Sequence, residues 1–252
     1  MNRPMNPIIL IPARMAATRL PGKPLADIEG VPMIVRVLRQ AQAAGVGPVA
    51  VAAGDSQIVE AVEAAGGRAV LTDPDLPSGS DRLVAALAVL DPQGHHDVVI
   101  NLQGDMPFVE AGAITDCVNL LIAHPDCDIA TIVEPETSPA VRTNPDMVKA
   151  VLAMDPGGKS GRALYFTRST LYGDAPVWHH HGIYAYRRAA LERFTASPPS
   201  PLERREKLEQ LRAMELNMTI WAAVVDATPI SVDNPADLER ARTFARTLGA
   251  KS

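Results

Sequence analysis

Three cations, Arg14, Arg19 and Lys23, fall within ten residues of the string IPARMAATRLPGKPL, which runs from Ile11 to Leu25. Fixed cations beside exposed backbone N–H groups are what a polyphosphate requires. Gly22, next to Lys23, lets the backbone approach a ligand closely. Neither the Walker pattern G-x-x-x-x-G-K-[ST] nor the dinucleotide pattern G-x-G-x-x-G is present, so this is not a loop of either kind. A solvated basic loop has the same composition, and residue types alone leave both readings open. Four other segments carry chemistry. PSGSDR, Pro77 to Arg82, is a turn opening a helix, where Ser78 or Ser80 fits a cap. VVINLQGDMP, Val98 to Pro107, puts Asp105 straight after an apolar run, a common place for a turn carboxylate. SVDNPADL, Ser231 to Leu238, places Asp233 or Asn234 before a helix as a cap and Asp237 in its first turn. EKLEQLR, Glu206 to Arg212, reads either as a charged helix face or as a polar site. His179, His180 and His181 resemble a metal tract. Residues on a strand alternate faces, so the three cannot converge on one ion.

Apolar spacing gives the elements that must hold these groups. Ile8 to Ile11 reads as a buried first strand ended by Pro12. Helices are expected at 31–44, 56–65 and 81–90, and strands at 48–53, 68–71 and 98–102. Strand and helix alternate, which predicts a parallel sheet covered by helices. The basic string and Asp105 then both lie at carboxyl ends of parallel strands, where open α/β sheets bind ligands. The second half is more mixed: strands at 148–152, 163–166, 182–186 and 219–225, and helices at 201–216 and 235–248. The expected class is α/β, a mixed, mainly parallel, Rossmann-like sheet flanked by helices. We expect a single domain, with one half over about 7–135 and the other over about 136–252.

The chain has 252 residues and a formal charge of −5, which argues against general nucleic-acid binding. Hydrophobic residues make up 47% but aromatics only 4%, so Ala, Val and Leu must fill the core. Two cysteines, Cys117 and Cys127, have no metal-like spacing and make no disulfide framework. The amino-terminal apolar run is too short for a secretory signal, and no stretch approaches the ~20 apolar residues of a membrane span. The expectation is a cytoplasmic protein that does not insert in membranes.

The quoted strings, in this order, closely resemble the CMP-Kdo synthetase (3-deoxy-manno-octulosonate cytidylyltransferase) family over Ile8 to Leu248. The resemblance implies a reaction of CTP with the acidic sugar Kdo, giving CMP-Kdo and pyrophosphate for lipopolysaccharide assembly. It implies that Pro12, Ala13, Arg14, Arg19 and Lys23 wrap the triphosphate, and that Ser78, Gly79 and Arg82 meet the cytidine. Gly104 and Asp105 complete the nucleotide site. Asp105 and Asp233 are implied as ligands of Mg2+, and Arg14, Lys23, Asp105 and Asp233 as the catalytic set. For the sugar it implies Gln103, Arg168, His181, Tyr184, Glu209 and Gln210, with Lys149 as a further cation near the site. It further implies a single nucleotidyltransferase domain, with a nucleotide-binding half over about 7–135 and a sugar-binding and dimer-forming half over about 136–252, and a homodimer. Two departures stand out: Met106 occupies a position where the family often has Glu, and the stretch from Tyr172 to His179 is short. They leave room for a related acidic sugar, such as 8-amino-Kdo or sialic acid. A nucleotide-sugar binding protein without turnover is the alternative of another class.

Overall fold

The computed structural model describes residues 5–17, 19–173, 175–226 and 230–249. Its backbone contacts divide the chain into two units: Met1–Ala111 together with Pro229–Ser252, and Gly112–Thr228.

The first unit alternates as the apolar spacing predicts. Its elements are β1 (Pro7–Ala13), a small ribbon of β2 (Asp27–Ile28) and β3 (Val31–Pro32), α1 (Met33–Ala43), β4 (Val49–Ala53), α2 (Ser56–Ala64), β5 (Ala69–Leu71), α3 (Gly79–Leu90) and β6 (Val98–Leu102). The four main strands are parallel in the order β5-β4-β1-β6. Ile8 to Ile11 and the whole of β6 are buried, which is why they read as apolar runs, interrupted in β6 by the buried Asn101, rather than as alternating ones. α1 buries Met33, Ile34, Val35, Val37, Leu38 and Ala41, one stripe at helical spacing, against this sheet. The last helix, Pro235–Gly249, sets Leu238, Ala241 and Ala245 against Ile28, Met33 and Val232. Phe244 adds an edge-to-face contact with Phe108, ring centroids 4.9 Å apart. The chain's final segment therefore packs with its beginning.

The second unit holds α4 (Ala111–Ala123), β7 (Ile129–Glu136), α5 (Pro139–Thr143), β8 (Lys149–Met154), β9 (Ser160–Thr167), β10 (Val177–Arg187), α6 (Arg188–Thr195), α7 (Pro201–Glu206), α8 (Gln210–Glu215) and β11 (Ile220–Val224). Among the described residues of this unit β7 and β11 pair in parallel, while β10 with β7, β11 with β9 and β8 with β9 are antiparallel. β8 also pairs with β10 at Trp178 and His179, so the five strands close on themselves. The mixed α/β class is as expected, with the parallel character concentrated in the first unit.

One difference from the sequence expectation has a clear cause. The helix expected over 201–216 is two helices. Ser200 and Glu203 form a capping box at the start, and Lys207 takes the left-handed conformation (φ 56°, ψ 47°) that ends α7. Apolar periodicity continues across that break and hides it. The sequence reading also places no element between Leu102 and Val148, where α4, β7 and α5 lie. Among the described residues no helix is long and apolar enough to cross a membrane.

Candidate active site

In the first unit the chain runs from β1 outward through β4 to β5, then returns to the other side of β1 as β6. Strand order reverses between β1 and β6, and the crevice beyond their carboxyl ends is where such sheets bind ligands. β1 pairs with β6 only as far as Leu10 but with β4 through Ala13. The end of β1 therefore projects beside the segment that follows β6.

Arg14 to Leu25 leaves β1 as an irregular loop. Gly22 at φ 70° turns the backbone into a 3-10 turn at Lys23–Leu25, anchored by the buried Pro24. The turn aims Lys23 inward: its Nζ donates to Asp105 Oδ2 at 2.8 Å and to Asp233 Oδ1 at 3.3 Å. Arg19 Nη2 lies 3.3 Å from the same Asp233 oxygen, in a more exposed position. Burial pulls the Lys23 pKa down, but Asp105 and then Asp233 outweigh it and hold the group above its ordinary value. The ammonium therefore stays charged.

Asp233 reaches this point because the Asp105 carbonyl accepts a hydrogen bond from Val232 N at 2.9 Å, which pins the 231–233 segment to the turn after β6. Asp233 is not the helix cap. Asn234 Oδ1 accepts from Asp237 N at 3.1 Å, and Asp237 Oδ2 in turn accepts from Asp233 N and Asn234 N at 2.9 and 3.2 Å. With the cap filled by Asn234 and Asp237, the Asp233 carboxylate is turned toward Lys23. Met106 is buried at 4% exposure, so it belongs to the core.

At the other end of the crevice, Ser78 does cap α3. Its Oγ accepts from Asp81 N at 3.2 Å and donates to Asp81 Oδ2 at 2.6 Å. Arg82 is buried, and its guanidinium donates to Thr72 Oγ1 at 2.6 Å and to the carbonyls of Asp73 and Pro74 at 2.9 and 3.2 Å. Arg82 thus braces the segment before the turn while its side chain also lines the cavity wall. Met15 N is held in turn by Asp55 Oδ2 at 2.8 Å.

Two glycines lie against Pro12, and Gly104 is the tighter. A Cβ on Gly104 would sit 3.0 Å from the Pro12 carbonyl oxygen, and one on Gly79 would sit 3.4 Å from Pro12 Cγ. The result is two cavities that share Pro12, Ala13, Arg14 and Gln103 as walls. One extends to Ser78, Gly79 and Arg82; the other extends to Lys23, Gly104 and Asp105. Every first-unit residue of the expected site lines one of them except Arg19 and Asp233, which join through the ion pairs on Lys23.

The expected sugar residues other than Gln103 lie in the second unit. Arg168 donates through Nη1 to the carbonyls of Pro145 and Asp146 and through Nε to that of Glu206, at 3.0 to 3.3 Å. Those bonds tie the 145–146 loop to the end of α7. Lys149 is buried and donates to the carbonyls of Asn144 and Arg168, at 2.8 and 2.9 Å. Burial, then the Arg168 charge, lowers its pKa. Glu209 is exposed at the start of α8, and Gln210 beside it is buried. Tyr184 lies between the His180 and Tyr186 rings, tilted against both, with ring centroids 5.4 and 5.8 Å away; burial raises its phenol pKa. His181 is buried, and burial, with His179 adding to it, pushes its pKa down to about 3. The strand alternation argument is met: His180 turns to Thr131 and Phe166, while His179 and His181 share the opposite face. Glu134, also on that face, was absent from the sequence expectation because β7 was; the run Ile129 to Val133 is its signal.

Two carboxylates converging on one cationic nitrogen form an all-oxygen donor pair, which matches the few carboxylates magnesium takes beside phosphate and water oxygens. Asp105 and Asp233 therefore fit a hard divalent cation.

Known proteins resemble this chain over nearly its whole length. A family model described as cytidylyltransferase matches residues 8–220. The 3-deoxy-manno-octulosonate cytidylyltransferase of Rhodospirillum rubrum is 57% identical over 239 residues, 94% of this chain and 95% of the relative. A protein of that name from a Bradyrhizobium species is 58% identical over 93% of this chain and 95% of its own length. A solved CMP:2-keto-3-deoxy-manno-octonic acid synthetase in complex with CTP superposes with a TM-score of 0.88 at 38% identity, covering 96% of this chain and 99% of that one. A 4-diphosphocytidyl-2C-methyl-D-erythritol synthase from Anaerococcus prevotii shares the fold, with a TM-score of 0.63 at 13% identity. The chain belongs to the 3-deoxy-manno-octulosonate cytidylyltransferase family.

Proposed function

We propose that this enzyme transfers CMP from CTP to Kdo, releasing pyrophosphate. The observation that carries the reading is the pair of cavities joined along Pro12, Ala13 and Arg14, with Ser78, Gly79 and Arg82 at one end and Lys23, Asp105 and Asp233 at the other. A nucleoside triphosphate has the same polarity: a flat base that needs fixed polar groups, and a triphosphate that needs cations. Ser78 and Gly79 are set rigidly by the helix cap and by Pro12, and rigid polar groups reject a base that leaves them unpaired.

In this reading the C2 hydroxyl of Kdo attacks the α-phosphorus in line. The new P–O bond forms as the bond to the pyrophosphate oxygen breaks, and the hydroxyl proton passes to solvent. No covalent enzyme intermediate is needed. Arg14, Arg19 and Lys23 neutralise charge on the phosphates and on the leaving pyrophosphate, so positioning and electrostatics carry the rate. Asp105 and Asp233 would hold Mg2+, which when bound supplies Lewis-acid polarisation and lowers the pKa of a bound hydroxyl. We assign the sugar to Gln103, Arg168, His181, Tyr184, Glu209 and Gln210, whose donors and acceptors suit a carboxylate and several hydroxyls. Use of the product in lipopolysaccharide assembly, and a homodimer as the working form, complete the proposal.

Asp105→Asn and Asp233→Asn test the role of the carboxylates. Each is expected to lose turnover by about a hundredfold or more, in line with the loss of one charge-stabilising group, with an unchanged circular dichroism spectrum. Near-wild-type turnover in both would remove the assignment.

A further inference from the structure

Glu134, His179 and His181 form a cluster in the second unit that the nucleotidyl transfer does not use as a set. Glu134 on β7 lies directly opposite His179 on β10 in the antiparallel register, and His181 follows two residues along. Directly opposed residues and i,i+2 neighbours share one face of a sheet, so all three side chains point the same way. One ligand atom from each lies within 4.8 Å of the others. His181 Nε2 is 3.4 Å from Glu134 Oε2, and the His179 and His181 rings are 4.4 Å apart between centroids. A tetrahedral ion with bonds of ~2.1 Å separates its ligand atoms by about 3.4 Å, so the His181–Glu134 pair already has that spacing.

A second observation points to a ligand. The His181 side chain is 6% exposed, and its buried Nε2 makes no hydrogen bond. A buried polar nitrogen without a hydrogen bond is costly and calls for an explanation. We propose that Glu134, His179 and His181 form a binding site for a borderline divalent transition-metal cation, Zn2+ in particular, with an open coordination position. Two imidazoles and one carboxylate are a donor set that such ions take and that magnesium, which prefers oxygen ligands, does not. The site is therefore chemically distinct from the Asp105–Asp233 pair. Burial lowers the pKa of both histidines, which favours the neutral ring with one nitrogen lone pair free to bind a metal. Glu136 and Lys149 act on His179 with opposite signs, and Lys149 is tied to the carbonyls of Asn144 and Arg168.

The test is titration of the full-length protein with Co2+ as a visible-absorbing stand-in for Zn2+, in excess Mg2+ to fill any oxygen-ligand site. No CTP or sugar is present, so the outcome is independent of the proposed reaction. We expect one Co2+ per chain, with d–d absorption of four- or five-coordinate strength, displaced by Zn2+. His179→Ala and Glu134→Gln should each weaken binding about a hundredfold, because loss of a ligand should cost at least as much as loss of an outer-shell partner. His180→Gln, on the other face, should bind as the wild type does. If one variant fails to fold, the other is read alone. No Co2+ uptake by the folded wild type in excess Mg2+, or uptake unchanged in the folded variants, overturns the proposal.

Discussion

Lys23 donates to Asp105 at 2.8 Å and to Asp233 at 3.3 Å, so one ammonium group holds together two carboxylates that follow different elements of the first unit. Its charge occupies the point on which both acids converge. It follows that Lys23 and a divalent cation compete for the same carboxylates when no nucleotide is present. Lys23→Met should raise the affinity of the nucleotide-free protein for Mn2+ by about tenfold, ~1.4 kcal/mol, and raise KM for CTP by at least as much. Calorimetry with Mn2+ reads the first effect and steady-state kinetics the second. Weaker Mn2+ binding in the variant would show that Lys23 supports the metal rather than standing in for it.

Gly104 precedes Asp105 and has no room for a side chain on the Pro12 side, where a Cβ would meet the carbonyl oxygen at 3.0 Å. Gly104→Ala must push the end of β1 away from the turn after β6. Forced overpacking of this kind costs about 1–3 kcal/mol. Because the shift falls between the two halves of the phosphate site, KM for CTP should rise about tenfold while thermal stability falls modestly. An unchanged KM would mean that Pro12 yields without disturbing the site.

How much of this was legible in the chain differs between the two units. In the first, runs such as Ile8 to Ile11 are buried on both faces, and each expected strand and helix of the parallel sheet is present. The cluster of Arg14, Arg19 and Lys23 was visible as cations near a glycine, but nothing local connects it to Asp233. That connection rests on the Val232–Asp105 backbone bond, a tertiary contact that spacing cannot express. The capping reading of Ser78 was correct as geometry and compatible with its place in the cavity. In the second unit, Lys207 breaks a helix whose apolar pattern runs on, because the break is made by one left-handed residue. Arg212 looked like one member of a charged face; it is buried, and its partner Glu203 lies on the preceding helix.

That pair gives a stability prediction. Arg212 meets Glu203 through two hydrogen bonds of 2.7 and 2.6 Å, and its guanidinium carbon lies 4.4 Å from the Phe194 ring centroid. Burial raises the Glu203 pKa, but the Arg212 bonds outweigh it and bring the carboxyl below its ordinary value. Arg212→Met leaves a buried carboxylate without its partner, a change that costs about 3–5 kcal/mol. Urea unfolding at neutral pH should show a lower midpoint at unchanged slope. A loss under ~1 kcal/mol, typical of exposed ion pairs, would contradict the burial of the pair.

Cys117 and Cys127 are buried thiols without a disulfide. Burial pushes both upward in pKa, Cys127 to about 12, although hydrogen bonding to the backbone moderates the latter. The unfolded chain ionises these thiols at their ordinary values near 8.5, while the folded protein keeps them neutral. Their contribution to stability is full below that pH and is lost as pH rises toward the folded values. Between pH ~9 and ~10 the wild type should lose up to ~1.4 kcal/mol per pH unit per thiol relative to a Cys117→Ala, Cys127→Ala double variant. Parallel pH profiles for the two proteins would show that the thiols already ionise in the folded state.

Pyrophosphate release from CTP in the presence of Mg2+, with Kdo supplied or omitted, addresses the central claim. Release is expected only when Kdo is present, and it should fall away when UTP replaces CTP or sialic acid replaces Kdo. Release with another acidic sugar but not with Kdo would contradict the substrate assignment, and folded protein giving no release with any sugar would contradict the transfer itself.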